Sequence, residues 1–254
     1  MCVLAFAWRA HPRWPLILAG NRDELHARPA QPLARWAEPG GVIAGRDLQS
    51  GGTWLGVSDA GRVAVVTNLR GYGGAEPDRA SRGALVTDLL AGSGRYADPD
   101  AAALDDFNPL NLIMVANGEA RFLTNRPAVE RSRLEPGIYG LSNGRLDEAW
   151  PKTLHLKSAL LKWIVDDGER PERLFEALRE ERLPDSGLQP DTPSDVPQEA
   201  LQSPIFIRNA VYGTRCSTVV AIDAEGVGVI SERRFTADAE PAGETRVPFG
   251  WPAA

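Results

Sequence analysis

The chain has 254 residues, of which 43% are hydrophobic, so it is long enough to bury a sizeable core in one large domain or two smaller ones. Its formal net charge is -6, and a protein of that sign repels polyanions, which argues against nucleic acid as a partner. Its two cysteines are typical of a reducing compartment, and it has neither a signal-peptide pattern nor a run of roughly 18 apolar residues, so we expect a cytoplasmic protein without a membrane span.

The first third of the chain is typical of strands separated by tight turns. Continuous apolar runs at 3–8 and 15–19 predict two buried strands. Further strands are predicted at 41–44, 53–57 and 62–67, the last two joined by a hairpin turn at Ser58-Asp59-Ala60-Gly61.

A helix is predicted to begin after Ser81, which is a favourable N-cap residue, and to end near Gly92. Its apolar face is formed by Leu85, Val86, Leu89 and Leu90. Asn117-Gly118 is the strongest hairpin signal in the chain and joins predicted strands at 110–116 and 119–124. A further short strand is predicted at 137–141.

Two more helices are predicted to begin at Pro151 and Pro171, since proline is favoured at the first helical position. Residues 184–204 are rich in proline, aspartate and serine and are expected to be a long surface excursion. A last hairpin is predicted from strands at 219–222 and 227–230. This order of strands, helices and strands favours a mostly antiparallel α+β fold, which we expect to be one domain over residues 1–254.

Several common functional motifs are missing from the sequence. It has no phosphate-binding loop, no GxGxxG that opens a helix, no HExxH, no CxxC and no GxSxG. We therefore expect neither a nucleotide cofactor nor a metal centre.

Cys2 is the unusual feature. Methionine aminopeptidases remove Met1 when the second residue is small, which would leave a cysteine that carries both a thiol and an α-amine. Unperturbed, these groups have pKa values of about 8.5 and about 7.7–8.0, so the amine is partly neutral at pH 7 and can accept the thiol proton. Such a residue would combine a nucleophile with its base. On position alone, an ordinary cysteine at the start of a buried strand is the favoured interpretation.

The tetrad Asn21-Arg22-Asp23-Glu24 strengthens the catalytic interpretation. If the first two predicted strands pair as a hairpin, the tetrad lies beside Cys2. An arginine there would lower the thiol pKa, and a carboxylate could hold the amine. The alternative is a solvated, charged turn.

The tetrad and a series of further motifs resemble the NRDE family, also called the transport and Golgi organisation protein 2 family. The resemblance runs along the whole chain. It is carried by Gly51-Gly52-Thr53-Trp54-Leu55-Gly56, Thr67-Asn68-Leu69-Arg70, Ser81-Arg82-Gly83, Tyr139-Gly140-Leu141-Ser142-Asn143, Trp150-Pro151-Lys152 and Tyr212-Gly213-Thr214-Arg215-Cys216-Ser217-Thr218.

That family is in turn similar to the cysteine branch of the N-terminal nucleophile hydrolases, which implies a four-layer αββα sandwich with two antiparallel sheets between helix layers. The acylases of that branch have arginine, asparagine, any residue and aspartate where this chain has its tetrad, so which of the four residues faces the thiol stays open. We take Asn21 and Glu24 as substrate-binding candidates. The resemblance implies a catalytic set of Cys2, Arg22, Asp23, Asn68, Asn143 and Arg215.

Two functions of different classes follow from the resemblance. The first is an enzyme that hydrolyses a linear amide, a non-peptide C–N bond, or a related acyl bond through a Cys2 acyl-enzyme. The second is a non-catalytic carrier or chaperone for a lipid, acyl-CoA or haem-like ligand, since a fold does not determine a function. An interaction protein with a degenerate site ranks last. Oligomeric state stays open.

Nearby arginines are expected to lower the pKa values of both the Cys2 thiol and its amine.

Overall fold

The computed structural model describes residues 2–166, 168–182 and 203–252. Some of its strands are joined by short turns and others by longer segments. Every pairing between strands is antiparallel. The strands are β1 Cys2–Trp8, β2 Leu16–Leu25, β3 Ala30–Arg35, β4 Val42–Asp47, β5 Leu55–Ser58, β6 Arg62–Asn68, β7 Leu110–Ala116, β8 Glu119–Thr124, β9 Glu130–Leu134, β10 Gly137–Leu141, β11 Tyr212–Ile222, β12 Val227–Phe235 and β13 Pro241–Gly250.

These strands form two sheets. The first has six strands in the order β10-β1-β2-β11-β12-β13, and the second has seven in the order β3-β4-β5-β6-β7-β8-β9. The first sheet therefore places the chain's first strand in its interior, between β10 and β2. Cys2 is consequently held by strand pairing from the first residue of β1 onward.

Helices cover the outer faces of the two sheets. Helix α1 spans Arg82–Ala91 and packs on β4, β5 and β6 of the second sheet. Helices α2 (Pro151–Asp166) and α3 (Leu174–Leu178) pack on the first sheet. The result is the predicted α+β fold, a four-layer αββα sandwich.

The alternation of side chains along β1 explains its continuous apolar run. Leu4 and Phe6 belong to the cluster between the two sheets, whereas Val3 and Ala5 belong to the cluster under α2 and α3. A strand buried on both faces needs apolar residues at every position, unlike a strand with one solvated face.

The predicted helices and hairpins are confirmed, including positive φ angles at Asn117 and Gly118 and a left-handed C-cap at Gly92. The helix predicted at Pro171 is a 3₁₀ turn that continues into α3. Strand β2 is longer than expected, because the polar tetrad continues the strand and does not form a turn. Strands β3, β9 and β13 were not predicted.

Residues 184–202 of the expected surface excursion lie outside the described residues. Within the described part of the chain, no helix is both long and apolar enough to cross a bilayer.

Candidate active site

Strand register places Cys2 directly opposite Arg22 on β2. Arg22 in turn lies opposite Cys216 on β11, and Cys216 lies opposite Arg234 on β12. Directly opposed residues project from the same face of a sheet, so thiols and guanidinium groups alternate along one row. Two strand spacings of about 4.8 Å separate Cys2 from Cys216, which is too far for a disulfide.

A cavity of about 600 Å³ lies beside this row and is lined by Cys2, Arg22 and Cys216. Trp54 also lines it and packs on the core between the sheets. Gly20 lets β2 approach its neighbours closely, because a Cβ there would stand 2.9 Å from Leu4 Cβ and 3.4 Å from Trp54 Cη2. Trp54 thus packs on the core, and the same ring also forms part of the cavity wall.

The cavity is more basic than the chain as a whole. Its described lining contains seven arginines and five carboxylates, although the formal net charge of the chain is -6. A positively biased cleft concentrates anions. The arginines are Arg22, Arg28, Arg46, Arg79, Arg82, Arg215 and Arg234, and the carboxylates are Asp23, Glu24, Asp47, Glu76 and Glu232.

Asp47, the last residue of β4, holds two of these arginines. Its Oδ2 accepts hydrogen bonds from Arg22 at 2.9 Å and from Arg28 Nε at 2.6 Å. Its Oδ1 accepts from the backbone N–H groups of Gln49 and Ser50. Burial acts to raise the pKa of Asp47, but the hydrogen bonds from Arg28 and Ser50 outweigh it, so the pKa lies below its usual value. Asp47 is thus a charged anchor that fixes Arg22 beside Cys2.

Arg82 and Arg215 are held differently. Arg82 donates to the Pro109 carbonyl at 3.0 Å, and Arg215 donates to the carbonyls of Leu25 and Arg28. Neither forms a salt bridge within the described residues. Burial is the largest cause that lowers the pKa of both guanidinium groups. These two side chains bring positive charge to the cavity without a carboxylate partner among the described residues.

Asn143, which follows β10, contacts the Cys2 backbone. Its Oδ1 accepts a hydrogen bond from the Cys2 nitrogen at 3.3 Å, and its Nδ2 donates to the Asn68 carbonyl at 2.8 Å. Ser142 Oγ donates to the Cys2 carbonyl at 2.8 Å. Asn68 is the last residue of β6. It is exposed and lines the cavity. The two asparagines are therefore adjacent but differently placed.

Asp23 lies next to the Cys2–Arg22 pair and is almost fully buried, with 3% of its surface exposed. Its Oδ1 accepts a hydrogen bond from Thr214 Oγ1 at 2.6 Å, and its carbonyl accepts one from the Tyr212 hydroxyl. Burial raises the pKa of Asp23, whereas the positive charges of Lys152 and Arg22 act to lower it.

The pKa of the Cys2 thiol runs opposite to the sequence-based expectation. Burial and the charge of Asp23 raise it above its usual value, and they outweigh the lowering by the N-terminal ammonium group, by a hydrogen bond from the Asp23 backbone and by the charge of Arg22. Burial also raises the pKa of Cys216. The expectation took account of the arginines but not of desolvation.

The two substrate-binding candidates are placed apart. Asn21 is fully buried on the helix side of the first sheet, where it donates to the carbonyls of Leu178 and Ile205 and accepts from Ser217. It does not line the cavity. Glu24 does line it, and its Oε2 lies 3.7 Å from Arg22. The structure therefore brings Arg22, Asp23 and Glu24 to Cys2 and turns Asn21 away.

Three residues at this site were not among those predicted. Asp47 ends β4, whose polar end carried no motif. Arg82 and Lys152 were visible within Ser81-Arg82-Gly83 and Trp150-Pro151-Lys152, yet nothing in their spacing indicated that Arg82 interacts electrostatically with Cys2 and Lys152 with Asp23. Within the described ranges, no three His, Cys, Asp or Glu side chains are grouped in a way that could hold a metal ion.

Comparisons with known proteins agree with this architecture. The family model for Transport and Golgi organisation 2 matches residues 1–237. The chain is similar to a Transport and Golgi organization 2 homolog of Mus musculus, with 30% identity over 92% of both chains, and to the homolog of Bos taurus, with 32% identity over 92% of both.

Among solved structures, the chain is similar to the Caenorhabditis elegans ortholog of N-acylethanolamine-hydrolyzing acid amidase. The TM-score is 0.51 at 14% identity, and the alignment covers 86% of this chain and 92% of the other. That likeness shows a shared fold. The sequence matches show more: the chain belongs to the Transport and Golgi organisation 2 family.

Proposed function

We propose that this chain is an N-terminal cysteine hydrolase that cleaves a linear amide or a related acyl bond through a Cys2 acyl-enzyme. The observation that carries the proposal is the position of Cys2. Its side chain lines the cavity opposite Arg22, while its nitrogen is held by Asn143 at 3.3 Å. After removal of Met1, that nitrogen would be the free α-amine, next to the thiol it has to deprotonate.

The reaction would proceed in two halves. The neutral amine takes the thiol proton, the thiolate adds to the substrate carbonyl, and the tetrahedral intermediate collapses with cleavage of the C–N bond. The ammonium group gives its proton to the leaving nitrogen. A water molecule, deprotonated by the same amine, then adds to the thioester and releases the acid, and the thiolate is reprotonated.

Asn68 is the better candidate for the oxyanion donor, because its side chain lines the cavity. Asn143 already donates to the Asn68 carbonyl and accepts from the Cys2 nitrogen, which fits a role in orienting the amine. Arg82 and Arg215 lack a carboxylate partner among the described residues, so they favour a substrate with an anionic group. Small-molecule amides with a carboxylate are therefore the first substrates to test.

The test is intact mass spectrometry after incubation with a panel of acyl amides and acyl thioesters. Wild-type protein should lack Met1 and gain an acyl adduct on Cys2 for at least one panel member. C2A should gain none. C216A removes the other thiol of the chain and is the matched control, so it should gain the same adduct as wild type. Retention of Met1 on protein that turns over substrate would contradict the mechanism.

A non-catalytic carrier for a lipid, acyl-CoA or haem-like ligand is the second candidate. The raised pKa of the Cys2 thiol favours it, because a buried thiol supplies little thiolate at neutral pH. Under this alternative, wild type and C2A should bind the ligand equally well, with no turnover by either. Cytoplasmic location and a single domain over residues 1–254 stay predictions.

A further inference from the structure

The ladder between β1 and β10 ends before it reaches Cys2. Its last described pair joins Leu4 to Leu141. Continued by two residues, the same register would set Cys2 opposite Asn143. The Asn143 carbonyl instead accepts a hydrogen bond from the Arg70 nitrogen at 2.8 Å. The backbone that follows β10 therefore departs from β1 at the residue that carries the thiol.

Two side chains connect the strands where the backbone ladder has ended. Asn143 Oδ1 accepts a hydrogen bond from the Cys2 nitrogen at 3.3 Å, and Ser142 Oγ donates one to the Cys2 carbonyl at 2.8 Å. A serine hydroxyl has one hydrogen to donate. Asn143 Oδ1 is also within its reach but lies farther away, at 3.5 Å. The hydroxyl therefore binds the carbonyl and leaves Oδ1 to the nitrogen, so both backbone polar groups of Cys2 are held by side chains.

A residue at the end of a chain needs such contacts. The first residues of a domain fray unless they are tied down, and removal of Met1 would make Cys2 the end of the chain. A nucleophile misplaced by about 1 Å can lose about 10²-fold in rate. Ser142 is 2% exposed and does not line the cavity, so it acts on the Cys2 backbone from inside the protein.

We propose that Ser142 is a positioning residue for the nucleophile: its hydroxyl holds the Cys2 carbonyl and thereby keeps the thiol at the cavity and the nitrogen at Asn143. The inference rests on the proposed function, since it assigns a role within the same reaction. A serine that only satisfied a buried carbonyl would contribute to stability. It would not change the reactivity of Cys2 relative to that of Cys216.

The first experiment compares the rates at which iodoacetamide labels the two cysteines at one fixed pH, on protein that lacks Met1, by peptide mapping. In S142A the Cys2 carbonyl can regain a partner only by moving toward water, so Cys2 should be labelled about tenfold faster than in wild type. Cys216 should keep its wild-type rate. It is paired with Arg22 in the interior of the same sheet and therefore reports any general loosening of the fold. Equal acceleration of both thiols, or none at Cys2, would overturn the inference.

Two further variants are matched to S142A. S142T keeps the hydroxyl and should restore the wild-type ratio of the two labelling rates. S231A removes a hydroxyl that is 3% exposed, on β12 of the same sheet, and should leave the ratio unchanged. An S231A ratio that rises as far as that of S142A would show that loss of any buried hydroxyl has this effect, which contradicts a specific role for Ser142.

Acyl transfer should respond in the opposite direction to alkylation. With an acyl donor that forms an adduct on wild-type Cys2, S142A should be acylated about 10- to 100-fold more slowly at saturation, because the nucleophile is no longer held in place. KM should stay near the wild-type value, since Ser142 does not line the cavity. A raised KM with an unchanged acylation rate would place Ser142 in substrate binding and would overturn the positioning role.

A further measurement uses wild-type protein, in case S142A does not fold. Protein that lacks Met1 and is labelled with 13C at the cysteine α carbons has two such signals, which C216A assigns. Relaxation of the Cys2 signal should give an order parameter of about 0.85, as in a rigid backbone. A value below about 0.6 would show a frayed terminus and would refute the inference.

These outcomes separate the two proposals. If wild-type protein retains Met1 or forms no acyl adduct on Cys2, the proposed function fails, whatever the labelling rates of S142A. If wild-type Cys2 forms the adduct and S142A changes neither the labelling ratio nor the acylation rate, the proposed function stands and the role of Ser142 fails.

Discussion

Asp47 and Arg22 form a 2.9 Å ion pair that joins the two sheets of the sandwich beside the cavity. Asp47 belongs to the second sheet and Arg22 to the first, so the position of the arginine opposite Cys2 depends on a residue from the other layer. Both side chains are largely buried, which makes this pair less subject to screening than a pair on the surface.

D47N should therefore lower the free energy of unfolding by about 1–3 kcal/mol, because it removes a charged acceptor from Arg22 and Arg28. The folded-state pKa of Asp47 is lowered, so its contribution is present above the pKa of the unfolded state and is lost as the pH falls through the folded-state value. In urea unfolding, the difference in the free energy of unfolding between D47N and wild type should be smaller below pH 4 than at pH 7. E244Q, at the exposed Glu244–Arg233 pair, is the control and should change little.

The two cysteines should differ in reactivity. Burial raises the pKa of both thiols, and Cys216 is the more deeply buried of the two. Iodoacetamide should modify Cys2 first, and the rate should still rise with pH above the unperturbed thiol value of about 8.5 in protein that retains Met1. Peptide mapping of a time course would check this. Faster labelling of Cys216 would contradict the described burial.

Substitution of Asn21 should mainly reduce stability, and substitution of Asn68 should mainly reduce activity. N21A removes the partner of two buried carbonyls and of Ser217, so it should lower the free energy of unfolding by about 2–3 kcal/mol. N68A changes an exposed side chain, so its stability should stay within about 0.5 kcal/mol, while the rate of Cys2 acylation should fall by about 10²–10³. Urea titration and single-turnover kinetics measure the two effects. An N68A variant that acylates at the wild-type rate would remove Asn68 from the mechanism.

Gly52 should not tolerate a side chain. A Cβ at this position would stand 2.3 Å from the Gly83 carbonyl carbon, next to Arg82 at the start of α1. G52A should destabilise the fold by about 1–3 kcal/mol and also weaken binding of anionic ligands, because the clash displaces Arg82. G74A is the control, since a Cβ there has nothing within 4 Å. Thermal unfolding and ligand titration of both variants test this, and equal stability of the two would count against the described contact.

The sequence predicted most of the buried elements because their apolar spacing directly reflects their packing. It missed β3, β9 and β13, whose residues are mostly exposed and therefore show no apolar alternation. It also ended β2 too early. Asn21 and Asp23 are polar yet buried, and Arg22 and Glu24 are charged and only partly buried, so the strand continues without the usual hydrophobic signal.

The candidate site was predictable to the extent that it follows from one hairpin. Pairing of β1 with β2 was expected and brings Arg22 to Cys2. The contributions of Asp47, Arg82 and Lys152 depend on how the layers stack, and stacking brings together residues that are distant in the sequence. The direction of the thiol pKa shift was wrong for a related reason, since desolvation depends on burial by all the layers together.

The confinement of lysine to α2 also limits which covalent modifications this protein can carry. Acetylation, amine cross-linking and other reactions at a lysine Nζ have three targets in the sequence, and Lys152 is inaccessible. Lys157 and Lys162 lie on the same helix, in the outer layer of the sandwich. Immobilisation through lysine side chains would therefore orient every molecule in nearly the same way, with α2 toward the support.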